Sequence, residues 1–254
     1  MDSYSAFAYV YDSFMENVPY DKWKKNLIEL LAKNGVSEGL VCELGCGTGQ
    51  MTRRLSDAGF DMIGIDMSYD MLMEAMNAES EMALHDASIL YLCQDMRSFE
   101  LYGTVAAIVS VCDSMNYLTS YDDLITVFEL ANNYLDPGGV FIFDMNTIFK
   151  YETLMADNVI AENGEDASFI WENDYDKESR NNTYNLTLYI KNEDDDYYER
   201  FEECHIQHAF SIDEVKSAAD KAGMRYIDVL DTDTMGPVTE TTERIYFVLG
   251  ENGK

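Results

Sequence analysis

The chain has 254 residues, 47% apolar and 13% aromatic, enough to bury one large core or a core carrying a moderate insertion. Its 48 acidic residues against 17 basic ones leave a net charge of −31, a field that repels nucleic acids and anionic membrane surfaces over about one Debye length. Five cysteines without a CxxC pair and three scattered histidines offer no zinc framework, and the lack of a basic leader or long apolar run predicts a reduced, cytoplasmic protein without a membrane span. The acidity reads as a solubility coat, with a cationic substrate as the functional alternative.

Residues 1–20 are rich in aromatics (Tyr4, Phe7, Tyr9, Tyr11, Phe14, Tyr20), and Pro19 separates them from a helix with Trp23, Leu27, Leu30 and Leu31 on one face. The leading segment is expected to pack on a sheet. Next, an apolar run meets Glu43-Leu44-Gly45-Cys46-Gly47-Thr48-Gly49, followed by a helix facing inward through Met51, Leu55 and Ala58. Glycine lets such a loop wrap a ligand closely. A second strand, 61–66, ends in Asp66, at the spacing of a βαβ unit. Ser68 is placed to cap a helix carrying Met71, Leu72, Ala75 and Met76.

A third apolar run, 89–93, leads to Gln94-Asp95-Met96, and 105–111 is continuous enough for a central parallel strand buried on both faces. A helix over 122–134 presents Leu124, Phe128 and Ala131, with Ser120 and Asp123 as a capping box. Leu135-Asp136-Pro137-Gly138-Gly139 turns into a fifth strand, 140–144, whose exit residues Asp144 to Thr147 are expected to face the cleft. Over 150–210 the alternation of strand and helix stops. Strands at 169–175, 183–190 and 197–210 read as an inserted antiparallel sheet, with a charged connection over 191–196. Phe210 and Ser211-Ile212-Asp213-Glu214-Val215 predict a stapled capping box, and the helix it starts ends at Gly223. Strands at 226–230 and 244–249 close the chain, with no repeat and no second large core.

Glu43-Leu44-Gly45-Cys46-Gly47-Thr48-Gly49, the acids Asp66 and Asp95 at later strand ends, and the Leu135 to Gly139 element together resemble the class I S-adenosylmethionine-dependent methyltransferases, bacterial small-molecule type. The resemblance implies a Rossmann-like, seven-stranded, mostly parallel α/β sheet with helices on both faces and a closing antiparallel hairpin. It implies a methyltransferase domain at 1–149 and 210–254, with an N-terminal lid, and an inserted antiparallel subdomain at 150–209 that serves the substrate. It implies a cofactor site at Glu43, Gly45, Cys46, Gly47, Gly49, Asp66, Met67, Met71, Gln94, Asp95, Met96 and Cys112, with Tyr11 and Trp23 as lid candidates. Within this set Asp66 takes the ribose and Asp95 the adenine amino group, with Met96 on the ring.

Asp113, Tyr117 and His205 are the candidate catalytic groups, Asn116 a further acceptor contact, and no metal is required. Asp113-Ser114-Met115-Asn116 lacks the prolines of the related enzymes that methylate exocyclic DNA amines, and His208 replaces the arginine of an H-x-Q-R-like stretch around His205 and Gln207. Two residues separate this reading from an NAD-dependent oxidoreductase. Gln50 stands where the dinucleotide fingerprint requires its third glycine, and Glu43 would repel a pyrophosphate but suits a cationic ligand. A non-catalytic S-adenosylmethionine-binding protein remains the other alternative. The acceptor is expected to be a small molecule rather than nucleic acid, its reacting atom open, and the protein a monomer or homodimer.

Overall fold

Alternate residues of a strand point to opposite faces, so the apolar pattern of the central strands demands a helix layer on each side. The computed structural model describes residues 7–15, 17–81, 89–192 and 197–254; Tyr4, His85 and positions 193–196 of the charged connection lie outside them. The chain opens with α1 (Phe7–Phe14), α2 (Tyr20–Lys33), β1 (Leu40–Leu44), α3 (Gln50–Ser56), β2 (Asp61–Asp66), α4 (Tyr69–Glu81), β3 (Leu90–Cys93) and β4 (Val105–Ser110). A 3-10 turn (Ser114–Tyr117), α5 (Tyr121–Tyr134) and β5 (Leu135–Asn146) follow. Then α6 (Ile148–Lys150) runs into a π-helical turn (Tyr151–Met155), ahead of β6 (Val159–Asn163), β7 (Ala167–Asp176), β8 (Asn181–Lys191) and β9 (Tyr198–His208). The chain finishes with α7 (Ile212–Lys221), β10 (Arg225–Asp231) and β11 (Arg244–Gly250).

Seven strands pair in the order β10-β11-β5-β4-β1-β2-β3, with β11 antiparallel to both neighbours. Cys42, Leu44, Ile108, Phe141 and Phe143 pack toward α5 and α7. Val41, Ala107, Val109 and Ile142 pack the other way, against Leu27 and Leu31 of α2 and Met51 and Leu55 of α3. Each such fully buried side chain contributes roughly 1.5–3 kcal/mol, so the three-layer arrangement follows from the parity of the strands. Across β5 and β11, Phe143 pairs with Phe247 and their rings stack at 5.2 Å.

Several local expectations are corrected. Ala58 lies beyond α3 and is exposed, and Phe60 enters the core instead. On α4, Met71, Leu72 and Ala75 are buried but Met76 is 39% exposed. Ser120 accepts from the Asp123 amide at 3.0 Å, yet the Asp123 carboxylate turns to Arg97 rather than closing a capping box. The box at Ser211 and Glu214 forms in full, with Phe210 and Val215 in one core. Residues 136–139 loop out between two registers of β5, Leu135 against Val105 and Val140 against Ala107.

The insertion forms a four-stranded antiparallel sheet, β6-β7-β8-β9, one strand more than expected. All five residues of β6 are exposed, so it carries no burial alternation to read. The leading aromatics divide: Phe7 and Phe14 pack on this sheet, Phe14 meeting Phe169 edge-on at 4.7 Å beside Val10, Leu186 and Leu188, while Tyr20 joins the core of the parallel sheet. Helix α1 thus spans from the inserted sheet to the glycine loop. Among the described residues, no helix is long and apolar enough to cross a membrane.

Candidate active site

β1 lies between β2 and β4, and the chain leaves β1 and β4 toward opposite sides of the sheet. Such a switch point opens a crevice beyond the carboxyl ends of the strands. A cleft of about 330 Å³ fills it, roofed by α1 and the inner face of the inserted sheet.

The glycine loop forms its floor. Gly45 and Gly47 have φ of 69° and 52°, and a Cβ on Gly45 would stand 2.6 Å from the Ser114 side chain. The loop is therefore pressed against the 3-10 turn. Gly47 donates its N–H to Asp66 Oδ2 at 2.8 Å, and Ser68 donates to Oδ1 at 2.8 Å. Each oxygen keeps a second lone pair for a hydroxyl, while burial raises the Asp66 pKa from its usual value. Glu43 is buried at the end of β1 and accepts the Thr52 hydroxyl. Desolvation pushes its pKa up to about 8.

A third carboxylate arrives from α1. Asp12 accepts from Thr48 Oγ1 and from Gln50 Nε2, both at 2.6 Å, and so latches the helix to the loop. Carboxyl groups on three sides of the glycine loop disfavour a pyrophosphate, and a bound cation would favour the ionised form of Glu43. This donor set fits the amino and sulfonium charges of S-adenosylmethionine.

On the adjoining wall, Met67, Met71 and Met96 supply apolar surface, with the Met96 methyl 3.5 Å from the position of a Gly45 Cβ. Asp95 is held in a fork by Arg97, with contacts of 2.5 and 3.0 Å, and this hydrogen bonding lowers its pKa. Gln94 lines the cleft while its Oε1 accepts from the Glu100 amide at 2.7 Å. Cys46 and Cys112 also line it, and the Tyr11 hydroxyl lies 3.8 Å from Cys112 Sγ.

Beyond β4 the backbone is strained. Cys112 and Asp113 have φ of 62° and 54°, where a residue with a Cβ costs roughly 1–2 kcal/mol. Asp144 holds this turn by accepting the Cys112 N–H at 3.1 Å and the Asp113 N–H at 2.7 Å. Arg244 of β11 donates to Asp113 at 2.5 Å and to Asp144 at 3.0 Å. The second Asp113 oxygen accepts from Gln207 at 2.7 Å. Because an ionised Asp113 can only accept, Gln207 must turn its amide NH2 to it. The Gln207 oxygen then accepts from the Tyr151 hydroxyl at 2.6 Å and from Tyr184. Both Asp113 oxygens are engaged, an arrangement suited to positioning rather than to taking a proton.

Tyr117 and His205 line the cleft together, their rings edge-on at 6.0 Å. Trp171, Tyr184, Leu186 and Gln207 come from the inserted sheet to complete that end.

Four expectations are corrected by position. Trp23 is buried on α2 beneath the Arg244 guanidinium, 5.2 Å from its ring centroid, and is no part of the cleft wall. Gly49 faces away from the cleft, where a Cβ would lie 2.5 Å from Tyr91 Oη. Asn116 is wholly buried and ties Asn146 to the His208 carbonyl. Asp144 lies fully buried beneath the site rather than facing the acceptor.

Conversely, Asp12, Arg244 and Glu203 matter more than their sequence neighbourhoods suggest; Glu203 accepts the Phe7 N–H at 3.2 Å and lies 3.2 Å from His205 Nε2. The H-x-Q stretch singled out Gln207; nothing local marked Arg244, whose partners lie 131 and 100 residues away.

Comparison with known proteins agrees with this geometry. The profile of the Methyltransferase domain family matches residues 41–139. A Bacillus subtilis (strain 168) protein named "Putative methyltransferase YqeM" is 32% identical over 96% of this chain and 95% of its own length. The crystal structure of a S-adenosylmethionine-dependent methyltransferase from Clostridium acetobutylicum ATCC 824 superimposes with a TM-score of 0.86 at 27% identity, covering 98% of this chain and 99% of that one. A Streptomyces venezuelae dTDP-3-amino-3,4,6-trideoxy-alpha-D-glucopyranose N,N-dimethyltransferase is 26% identical over 53% of this chain and 55% of its own.

Proposed function

The chain belongs to the class I S-adenosylmethionine-dependent methyltransferases, and from that premise we propose that its small-molecule acceptor is a free amine on a compact polar ring, such as an amino sugar without a phosphate. The observation that carries this reading is the charge of the cleft. Asp12, Glu43, Asp66, Asp95 and Asp113 surround it or line it, whereas its one lining cation among the described residues, Arg97, is committed to Asp95. A sugar diphosphate would meet no cationic cradle there. The amine is supported by the name of the Streptomyces venezuelae relative, and the phosphate-free form by the lining of this cleft.

When bound, S-adenosylmethionine supplies a sulfonium methyl whose transfer returns the carbon–sulfur electron pair to sulfur. In this reading Glu43 and Asp12 balance the cationic end of the cofactor, Asp66 takes the ribose hydroxyls, and Asp95 with Met96 holds the adenine. Helix α1, with Tyr11, closes over them and keeps water out. Arg244, Asp113 and Gln207 fix the seam between the parallel sheet and the insertion, so residues 150–209 act as the acceptor subdomain on the methyltransferase core of 1–149 and 210–254. Rate then comes mainly from alignment, with Tyr117 and His205 nearest the acceptor. Five unpaired cysteines support a reducing, cytoplasmic setting.

The test is mass spectrometry of a panel incubated with S-adenosylmethionine: free amino sugars and aminocyclitols, their nucleotide-linked forms, phenols and thiols. Methylation of the free amines should dominate. Preference for the nucleotide-linked sugars, or methylation confined to oxygen or sulfur, overturns the proposal.

A further inference from the structure

The inserted sheet reaches the turn beyond β4 through the side chain of Gln207. This residue of β9 is 1% exposed, and its Nε2 donates to Asp113 Oδ2 at 2.7 Å. Its Oε1 accepts the hydroxyls of Tyr151, at 2.6 Å, and of Tyr184. A carbonyl oxygen has two lone pairs and no hydrogen to give, so these two donors fill it. Arg244, which can only donate, takes the other Asp113 oxygen in an ion pair. The contact between Gln207 and Asp113 therefore has a polarity: the amide gives the hydrogen and the carboxylate receives it.

The turn so held is the strained one, with Cys112 and Asp113 at φ of 62° and 54°. The next residue, Ser114, has its hydroxyl 3.2 Å from the Gly45 carbonyl and 2.9 Å from that of Val111. Little space remains between turn and loop, since a Gly45 Cβ would stand 2.6 Å from the Ser114 side chain. Close-packed groups transmit a displacement rather than absorb it, so a shift of this turn reaches the glycine loop.

We propose that Gln207 is a positioning residue for the cofactor: from the acceptor subdomain it holds the turn at Cys112 and Asp113 against the glycine loop, so that S-adenosylmethionine is gripped fully only while the inserted sheet is seated. This rests on the cofactor placement of the proposed function. Tyr184, which lines the cleft edge-on to Trp171, brings the wall that meets the acceptor to the same amide. The two ends of the cleft are thus joined by a run of hydrogen bonds from Tyr184 through Gln207 and Asp113 to Arg244.

Reversing the polarity of the contact tests this. In Gln207→Glu the hydrogen is gone, and two carboxyl oxygens meet where 2.7 Å separated donor from acceptor. Buried carboxyls in contact keep a shared proton above the ordinary carboxyl range, so the bridge survives in acid and is lost as that proton leaves. In the double variant Asp113→Asn with Gln207→Glu, the introduced amide keeps its oxygen on Arg244 and gives its hydrogen to the introduced carboxylate. Besides Tyr151 and Tyr184, the charged and titratable groups around the contact are Arg244, Asp144, Lys150, Tyr117 and His205. The wild type carries all of them, so each variant is compared with it at the same pH.

The experiment is calorimetry with S-adenosylmethionine, with thermal melts of the ligand-free proteins, at about pH 5.5 and about pH 8. At the higher pH, Gln207→Glu should bind about 10-fold more weakly than the wild type and melt roughly 5 °C lower. Both gaps should narrow at the lower pH, and the double variant should recover most of both at the higher one. Wild-type affinity in Gln207→Glu at the higher pH overturns the proposal, and so does a double variant no better than the single one. If Gln207→Glu does not fold at the higher pH, the double variant decides alone. A wild type that does not bind S-adenosylmethionine overturns the cofactor reading and this proposal with it. The melts then still show whether the contact of Gln207 with Asp113 has the stated polarity.

Discussion

Replacing Glu43 by Gln should strengthen the ligand-free protein while weakening its hold on the cofactor. Burial raises the Glu43 pKa from 4.5 to about 8. At about 1.4 kcal/mol per unit, forcing this carboxylate to ionise in the fold costs on the order of 5 kcal/mol. Its folded pKa exceeds its unfolded one, so there is no penalty in acid. The penalty grows as pH rises from 4.5 toward 8 and is constant above that range. Gln keeps an oxygen for the Thr52 hydroxyl and does not titrate. Between about pH 6 and about pH 9, the stability gap between variant and wild type should therefore widen by about 3 kcal/mol. For a chain of this size that is roughly 6–12 °C in Tm.

Thermal melts of both ligand-free proteins across this range measure it, and calorimetry with S-adenosylmethionine measures the opposite effect. Loss of a charge-assisted contact worth about 1.5–3 kcal/mol predicts about 10- to 100-fold weaker binding. A gap that stays constant with pH would refute the assignment of a raised pKa to Glu43. Unchanged affinity would remove it from the cofactor site.

Asp66→Ala and Asp95→Ala should each weaken S-adenosylmethionine binding by about 10- to 100-fold in calorimetry, with NAD unbound by either variant or by the wild type. Arg244→Met leaves Asp113 and Asp144 without their cation, a loss of about 3–5 kcal/mol, seen as a fall of roughly 10 °C in Tm. That deficit should shrink toward acid, because burial already raises the Asp144 pKa and protonation removes the unpaired charge. Gly49→Ala places a Cβ 2.5 Å from Tyr91 Oη at a φ of 74°, and should cost about 1–3 kcal/mol in denaturant unfolding. Adding Tyr91→Phe to it should recover part of the loss, and failure to recover any would locate the strain in the backbone alone.

The layered core was legible because it rests on local periodicity. Val41 and Cys42 face opposite helix layers for the same reason that Ala107 and Ile108 do. The acids at the ends of β1 and β2 were equally legible, since a strand end and a following helix place them without further help. Trp23 and Asn116 were misread because a polar or aromatic residue near a motif looks the same whether it meets ligand or protein. Arg244 was invisible for a different reason: its partners come from β4 and β5, and only the finished sheet brings them together. Glu203 looked like one acid among many. Its meaning depends on the α1 amide and on His205 sharing one carboxylate.

Arg244 also bears on when the site can exist during synthesis. It opens the last strand, yet it neutralises carboxylates whose backbones were laid down 131 and 100 residues earlier. A nascent chain that has emerged only through β5 contains the glycine loop with Glu43 and Asp66, but the turn after β4 lacks the charge that steadies it. The ion pairs that join the turn after β4 to Asp144 thus wait for residue 244. A chain that stops short of β11 lacks the one cation that faces both of these carboxylates among the described residues.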